Sequence, residues 1–134
     1  MSNNETNKYF DLHTTGIGYV NHVREVTPKE GNPFLSVTIS ALRGSVDNVQ
    51  YTHFECRVSG RQAQQVVRQL KPAVEGKQKV LIGFTLSDLY AETFTFKNGD
   101  KAGETGISLK ARLLRVSWAK VDGQPFYKEQ EHAA

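Results

Sequence analysis

The sequence predicts an all-β domain with one helix, and three observations support this fold class. Two stretches, residues 34–42 and 51–58, alternate apolar and polar side chains with a period of two, which is typical of half-buried strands. After the second of them, apolar residues recur at helical spacing over 61–71. No other segment has this helical spacing. The strand-rich order excludes a helix bundle, and the single helix argues against a doubly wound α/β sheet, which needs a helix after nearly every strand.

The strand segments and the helix can be placed in order along the chain. Five segments have strand-like composition and lie at 16–26, 34–42, 51–58, 79–86 and 107–116. The segment 91–106 predicts a further strand that leads into a mobile hairpin with Asn98 and Gly99 at its tip. At the helix, Ser59 and Gln62 fit a capping box, and Pro72 predicts the end.

The order of these elements predicts a particular barrel. Three strands, a helix, and two strands with a long hairpin before the last one are the elements of a five-stranded Greek-key barrel of the OB-fold type. In this fold the helix lies between strands 3 and 4 and closes one end of the barrel. We expect one OB-fold domain over 13–121, with a flexible N-terminal segment over 1–12 and a flexible C-terminal tail over 122–134.

The length and composition of the chain predict a single-domain protein and its location in the cell. The chain has 134 residues, which is enough for one domain with a real core. No run approaches the roughly 18 apolar residues of a membrane span, and the polar start lacks the apolar region of a secretory signal. A single cysteine excludes an internal disulfide. We therefore expect a cytoplasmic protein with no membrane partner.

Charge is concentrated in the second half of the chain. The net charge is only +3, but residues 57–120 carry twelve lysines and arginines against five carboxylates. The segment GISLKARLLRVSWAK contains four basic residues and no acidic one. Clusters of this kind are typical of nucleic-acid-binding proteins, although many unrelated proteins are equally basic.

Aromatic and basic side chains occupy outward positions on several predicted strands. On such surfaces, bases of a single strand stack on the rings while cations follow the phosphates. The predicted binding residues are Tyr19, Arg43, Tyr51, His53, Arg57, Phe94, Phe96, Lys97, Lys101, Lys110, Arg112 and Trp118. Each of them alone has an ordinary alternative, such as core packing or a solvated charge. Their combination on the non-core side of several strands favours nucleic-acid binding.

The sequence predicts no active site. Cys56 falls on the core-facing side of its strand, where a thiol is inert. The four histidines lack metal-ligand spacing, and neither GIG near the start nor KNGDKAGETG matches a phosphate-binding loop. We expect a protein that is not an enzyme and that holds no cofactor and no metal.

Several segments resemble known families. The stretch YTHFECRVSGRQAQQVVRQLKPAVEGKQKVLIGFTL resembles the part of bacterial single-stranded DNA-binding proteins in which an aromatic-rich third strand leads into the helix and the fourth strand. As a pattern of elements, that resemblance spans about 16–118. The segments YFDLHTTGIGYVNHVREV, YTHFECRVSG, DLYAETFTF and GISLKARLLR look like a family that is carried by integrative and conjugative elements and grouped with element replication. This second resemblance covers almost the whole chain.

The chain departs from the single-stranded DNA-binding pattern at two places. His53 stands about where that family has a stacking tryptophan. The C-terminal sequence YKEQEHAA lacks the acidic-aromatic tip with which that family recruits replication enzymes. The resemblance otherwise implies single-stranded DNA as the ligand and a homo-oligomer, a dimer or tetramer, as the assembly.

Three hypotheses follow for the function. The favoured one is a protein that coats single-stranded DNA during replication or transfer of a mobile element, with its hairpin closing over the strand. The alternative is a docking module for replication or conjugation proteins that has no significant DNA affinity. A third is an OB-fold protein that prefers RNA or duplex DNA. The pairing of aromatic with basic residues favours the first, because a docking face is more often aliphatic.

Overall fold

The computed structural model describes residues 9–128, which form six strands and one helix. The elements in chain order are β1 (His13–Val26), β2 (Phe34–Ser45), β3 (Asn48–Val58), α1 (Arg61–Glu75), β4 (Val80–Thr95), β5 (Thr105–Val121) and β6 (Gln124–Lys128). Each predicted strand segment lies within one of β1–β5, except that the fourth begins one residue before β4. The predicted helix lies within α1.

Five of the strands close into a barrel. β3, β2, β1, β4 and β5 pair antiparallel in that spatial order, and β5 then pairs in parallel with β3. β6 extends the sheet at the free side of β5. The helix lies between β3 and β4 in the chain and packs against β5, β1 and β4. The architecture is the OB-fold-like barrel predicted from the element order.

Alternation along the strands determines what the barrel buries. On β2 the four predicted inward residues are all buried, and on β3 Phe54, Cys56 and Val58 are buried while Tyr51, His53 and Arg57 are exposed. The helix contributes its apolar face to the same core through Ala63, Val66, Val67 and Leu70. Because the core uses one side of each strand, the other side of β2 and β3 remains outside the barrel.

The helix differs from its prediction at both ends. Its first residue follows Gly60, which makes no side-chain cap, so the predicted capping box is absent. Gln62 instead bonds across to β5 and β6. Pro72 lies inside the helix rather than at its end. The last turn survives because Val74 packs against the core and Gly76 donates its N–H to the Pro72 carbonyl.

One hairpin is longer than the sequence predicts, and the long hairpin before the last strand is confirmed. β2 and β3 continue past the barrel to the turn at Val46 and Asp47, with Arg43 facing Gln50. The predicted strand within 91–106 is the second half of β4, which bends at a bulge between Ser87 and Tyr90 and then pairs with β5 as a long arm. The end of the β2–β3 hairpin is exposed and has no apolar face to bury, so alternation alone did not reveal it.

The terminal segments are described in part. Within the predicted C-terminal tail, β6 was not predicted, because a short strand at residues 124–128 has little apolar alternation. At the other end, Asp88 donates its backbone N–H to the Leu12 carbonyl. The predictions for 1–8 and 129–134 fall outside the described residues. Within 9–128, no helix has the length and apolar character needed to cross a membrane.

Candidate nucleic-acid interface

The outer side of β2 and β3 forms one continuous face. Residues that pair across these antiparallel strands point to the same side of the sheet. The outward pairs are Ser36 with Arg57, Thr38 with Glu55, Ser40 with His53 and Leu42 with Tyr51. The sequence therefore predicted the outward direction of Tyr51, His53 and Arg57 correctly.

The parallel pairing of β3 with β5 adds two more cations to this face. The register places Glu55 beside Lys110 and Arg57 beside Arg112. Between them lies a cleft of about 560 Å³, which we call the charged cleft. Its lining comprises Arg24, Val26, Phe34, Ser36, Glu55, Cys56, Arg57, Asp88, Tyr90, Lys110, Ala111 and Arg112. Because β3 and β5 are far apart in the chain, only the closure of the barrel brings these cations together.

Carboxylates partly neutralise the cations of the charged cleft. The Arg112 guanidinium lies 3.6 Å from an Asp88 carboxylate oxygen, and the Lys110 ammonium lies 4.0 Å from Glu92. Arg24 on β1 lies 3.7 Å from Glu55. These side chains are 33–61% exposed, so water screens each pair and its attraction is weak. A phosphate that enters the cleft competes with carboxylates that already occupy the cations.

Arg57 differs from the other three cations. Its guanidinium carbon lies 4.2 Å from the centre of the Phe34 ring, in a cation–π contact. Within residues 9–128 it forms no salt bridge. The ring holds the side chain without neutralising it, so within residues 9–128 Arg57 is the cation of the cleft that has no carboxylate partner.

A smaller pocket lies on the same face, at the opposite end of β3 from Arg57. We call it the tyrosine pocket; its volume is about 220 Å³ and its lining is Tyr19, Asn21, Ser40, Tyr51 and His53. A β-bulge on β1 between Val20 and His22 places Asn21 over this pocket. Asn21 donates a hydrogen bond to the Ser40 hydroxyl, and that oxygen lies 2.8 Å from His53 Nδ1. The pocket thus combines two phenol rings with a connected polar floor.

The arm formed by β4 and β5 carries a pair of phenylalanines. The rings of Phe94 and Phe96 meet edge to face, 4.9 Å apart, and Lys101 lies 5.7 Å from the centre of the Phe96 ring. The rings lie over Gly106, where an added Cβ would come within 2.6 Å of Phe94. Glycine at this position therefore makes room for the phenylalanine pair. Lys97 is exposed beside it, at the start of the hairpin tip.

Two predicted binding residues lie away from this face. Arg43 bonds to Thr52 and Gln50, which have the inward orientation of β3, so it points to the opposite side of the β2–β3 hairpin. Trp118 faces outward on a different wall of the barrel, where it covers Gly83 of β4 and pairs with β6. Neither lines the charged cleft or the tyrosine pocket.

Several residues of the interface were not predicted. The charged cleft is also lined by Arg24 and Phe34, and the tyrosine pocket by Asn21. Asp88 forms an ion pair with Arg112, and Glu92 forms one with Lys110. Arg24 lies at an outward position of β1. The alternation along β1 would have predicted this position if the bulge between Val20 and His22 had been recognised in the sequence. The acidic residues had no sequence signal, because only the tertiary pairing places them beside the cations.

The described residues show neither a reactive cysteine nor a cluster of potential metal ligands. Cys56 is buried, and this burial raises the pKa of its thiol to about 12, with a smaller contribution from the Glu55 charge. Its thiol is therefore protonated at neutral pH and a poor nucleophile. Within 9–128, no group of three or more histidine, cysteine, aspartate and glutamate side chains is arranged to hold a metal ion.

Comparison with known proteins places the chain in a family. A family model described as "Protein of unknown function (DUF3577)" matches residues 3–134, which is nearly the whole sequence. The chain belongs to the DUF3577 family. No curated protein and no solved structure matches it. The description of the DUF3577 family names no activity, substrate or partner.

Proposed function

We propose that this chain is a non-enzymatic single-stranded DNA-binding protein. The observation that carries the proposal is the parallel register of β3 and β5, which sets Arg57, Lys110 and Arg112 on the same face as Tyr51 and His53. Cations and aromatic rings on one face are what single strands require. A duplex hides its bases from such rings, so this face favours the single strand.

In this proposal the cleft and the aromatic rings bind different parts of the strand. The cations of the charged cleft bind phosphates and release counterions, which makes the affinity salt-dependent. Tyr51, Tyr19 and the phenylalanine pair accept bases by stacking. The arm that carries Phe94 extends beside the cleft and covers the bound strand. The resemblance to proteins of integrative and conjugative elements supports a role in replication or transfer of such an element, with homo-oligomers and replication or conjugation proteins as partners.

The second candidate function is a docking module for a protein partner. The specific observation in its favour is that Arg24, Lys110 and Arg112 each already have a carboxylate within 4.0 Å. Balanced charges of this kind suit a polar protein surface as well as a phosphate backbone. The two candidates differ in whether the isolated protein binds DNA.

Fluorescence anisotropy tests the proposal directly. A labelled dT oligonucleotide and a duplex of equal length are titrated with the protein between about 50 mM and about 200 mM salt. We expect binding to the single strand that weakens steeply with salt, and much weaker binding to the duplex. If the protein binds neither DNA at low salt, the proposal fails and the docking module is the remaining candidate function. Equal or tighter binding to the duplex or to RNA would assign another ligand.

A matched pair of variants locates the binding face. Lys110→Ala should weaken binding and reduce the salt slope by about 0.7, the value for one phosphate contact on a single strand. Lys71→Ala is the control, because Lys71 lies on α1 with nearly the same exposure, 38% against 35%, and also faces a glutamate at 4.0 Å. If both variants lose affinity equally, only overall charge matters and the charged cleft is not the binding face.

A further inference from the structure

The tyrosine pocket has polar groups whose positions are fixed before any ligand arrives. Ser40 is buried at its floor, only 6% exposed, and connects Asn21 on β1 to His53 on β3. Three strands are thereby cross-linked at one point. Because Ser40 holds both neighbours, Asn21 and His53 are oriented by the protein rather than free to rotate in solvent.

These side chains retain hydrogen-bonding capacity that points outward. Asn21 uses one amide proton on Ser40 and keeps a second proton and its carbonyl oxygen. His53 uses Nδ1 and keeps Nε2. Within residues 9–128 neither Asn21 nor His53 makes a further hydrogen bond with its side chain. The pocket therefore presents an oriented donor and acceptor to whatever enters it.

The size and the walls of the pocket indicate what enters. At about 220 Å³ it is smaller than the roughly 300–1,000 Å³ of sites for drug-sized ligands. Tyr19 and Tyr51 supply flat apolar walls, and the adjoining groove leads to Gln78 and Lys79. A flat ring with polar atoms on its edge, attached to a phosphate, matches this combination. A single nucleotide has this chemistry.

We infer that the tyrosine pocket reads the identity of one base in the bound strand. Stacking on tyrosine accepts every base, but hydrogen bonds from fixed groups to a base edge discriminate between bases. Asn21 offers an adjacent donor and acceptor, the pair with which amide side chains recognise bases. This inference rests on the proposed function. It adds a base preference that stacking and phosphate contacts do not supply.

Homopolymer binding tests the inference. Labelled dT, dC and dA oligonucleotides of equal length are titrated with the intact protein and with Asn21→Ala and Ser40→Ala variants. We expect the wild-type affinities to differ by about five-fold or more between the best and the worst base, the lower end for a bidentate contact. In both variants the ratios should change by a similar factor, with the salt slope unchanged. Thr38→Val is the control, because Thr38 bonds Glu55 on the same face without touching the pocket.

The outcomes separate this inference from the proposed function. If the protein binds all homopolymers and the ratios are the same in wild type and Asn21→Ala, the pocket does not read a base, although the DNA-binding proposal stands. If no homopolymer binds, both fail. If Ser40→Ala unfolds, Asn21→Ala decides alone, because Asn21 is exposed and its truncation leaves no cavity in the core. A change in ratios with Thr38→Val as large as with Asn21→Ala would also refute the inference.

Discussion

Replacing Glu92 with glutamine should strengthen binding to single-stranded DNA. Glu92 faces Lys110 at 4.0 Å across β4 and β5, and in the proposed mode a phosphate takes the place of this carboxylate. Glutamine keeps the length of the side chain but removes the charge. Lys110 could then bind the phosphate without first breaking its ion pair with residue 92. The prediction is a gain of affinity, which general damage to the protein does not produce.

The magnitude follows from the exposure of the pair. The side chains of Lys110 and Glu92 are 35% and 54% exposed, so their attraction is that of a surface ion pair. Such pairs contribute about 0.2–1 kcal/mol. Abolishing the competition should therefore lower the dissociation constant by about 1.4- to 5-fold at low salt. The gain should shrink as salt screens both interactions.

The assay needs a control for net charge. Glu75→Gln makes the same change on α1, where Glu75 faces Lys71 at the same distance of 4.0 Å and is 62% exposed. Anisotropy titrations of both variants, side by side with wild type, measure the difference. If Glu75→Gln gains as much as Glu92→Gln, the effect is long-range charge. If Glu92→Gln gains nothing at low salt, Lys110 does not contact phosphate and the proposed path of the strand is wrong.

Three further predictions concern other parts of the molecule. Gly106→Ala should displace Phe94, whose ring would lie 2.6 Å from the new Cβ, and lower affinity about five-fold without changing the salt slope, as measured by anisotropy. Gln62→Ala removes two hydrogen bonds to the Val116 backbone, at 2.7 and 3.1 Å, and should lower the free energy of unfolding in urea by about 1–3 kcal/mol. Because burial raises the pKa of Cys56 from 9.0 to about 12, its stabilising effect is complete below pH 9.0 and is lost as pH rises toward 12. Urea unfolding across that window should therefore show a steeper loss of stability in wild type than in Cys56→Ala.

The sequence contained enough information for the barrel and for the direction of its side chains. The clean alternation of β2 and β3 predicted the outward positions of Tyr51, His53 and Arg57, since a strand with one buried side has little freedom of register. The apolar spacing of the helix likewise predicted the face that α1 buries. Strand alternation and helical spacing depend on residues that are close together in the chain, so they can be predicted from the sequence.

The parts that sequence could not predict depend on distant partners. Gln62 fits a capping box locally, but Val116 on β5 and Tyr127 on β6 bond it instead. The direction of Arg43 could not be predicted for a similar reason, since the β2–β3 hairpin extends beyond the core that defines the inner and outer sides of the strands. The charge balance of the cleft also arises only when β4 folds back along β5.

The parallel register gives the interface two chemically different ends. Along β3 the outward residues run from Tyr51 to Arg57, six residues or roughly 20 Å. β5 runs in the same direction, so Arg112 lies at the same end as Arg57. Gly106, under the phenylalanine pair, lies toward the end of Tyr51. Arg57 and Arg112 therefore lie at one end of this face, where Phe34 and Tyr90 also line the cleft. Tyr51 and the phenylalanine pair, with Lys101 over the Phe96 ring, lie toward the other end.

This polarity means that affinity and salt dependence should be separable by position. A strand that lies along the face meets exposed charge at one end, where the removal of any one cation reduces the number of counterions that binding releases. At the other end it meets Tyr51 and Tyr19, whose stacking on bases releases few ions. In the proposed mode, Arg112→Ala should therefore lower both the affinity and the salt slope, whereas Tyr51→Ala should lower the affinity with little change in the salt slope.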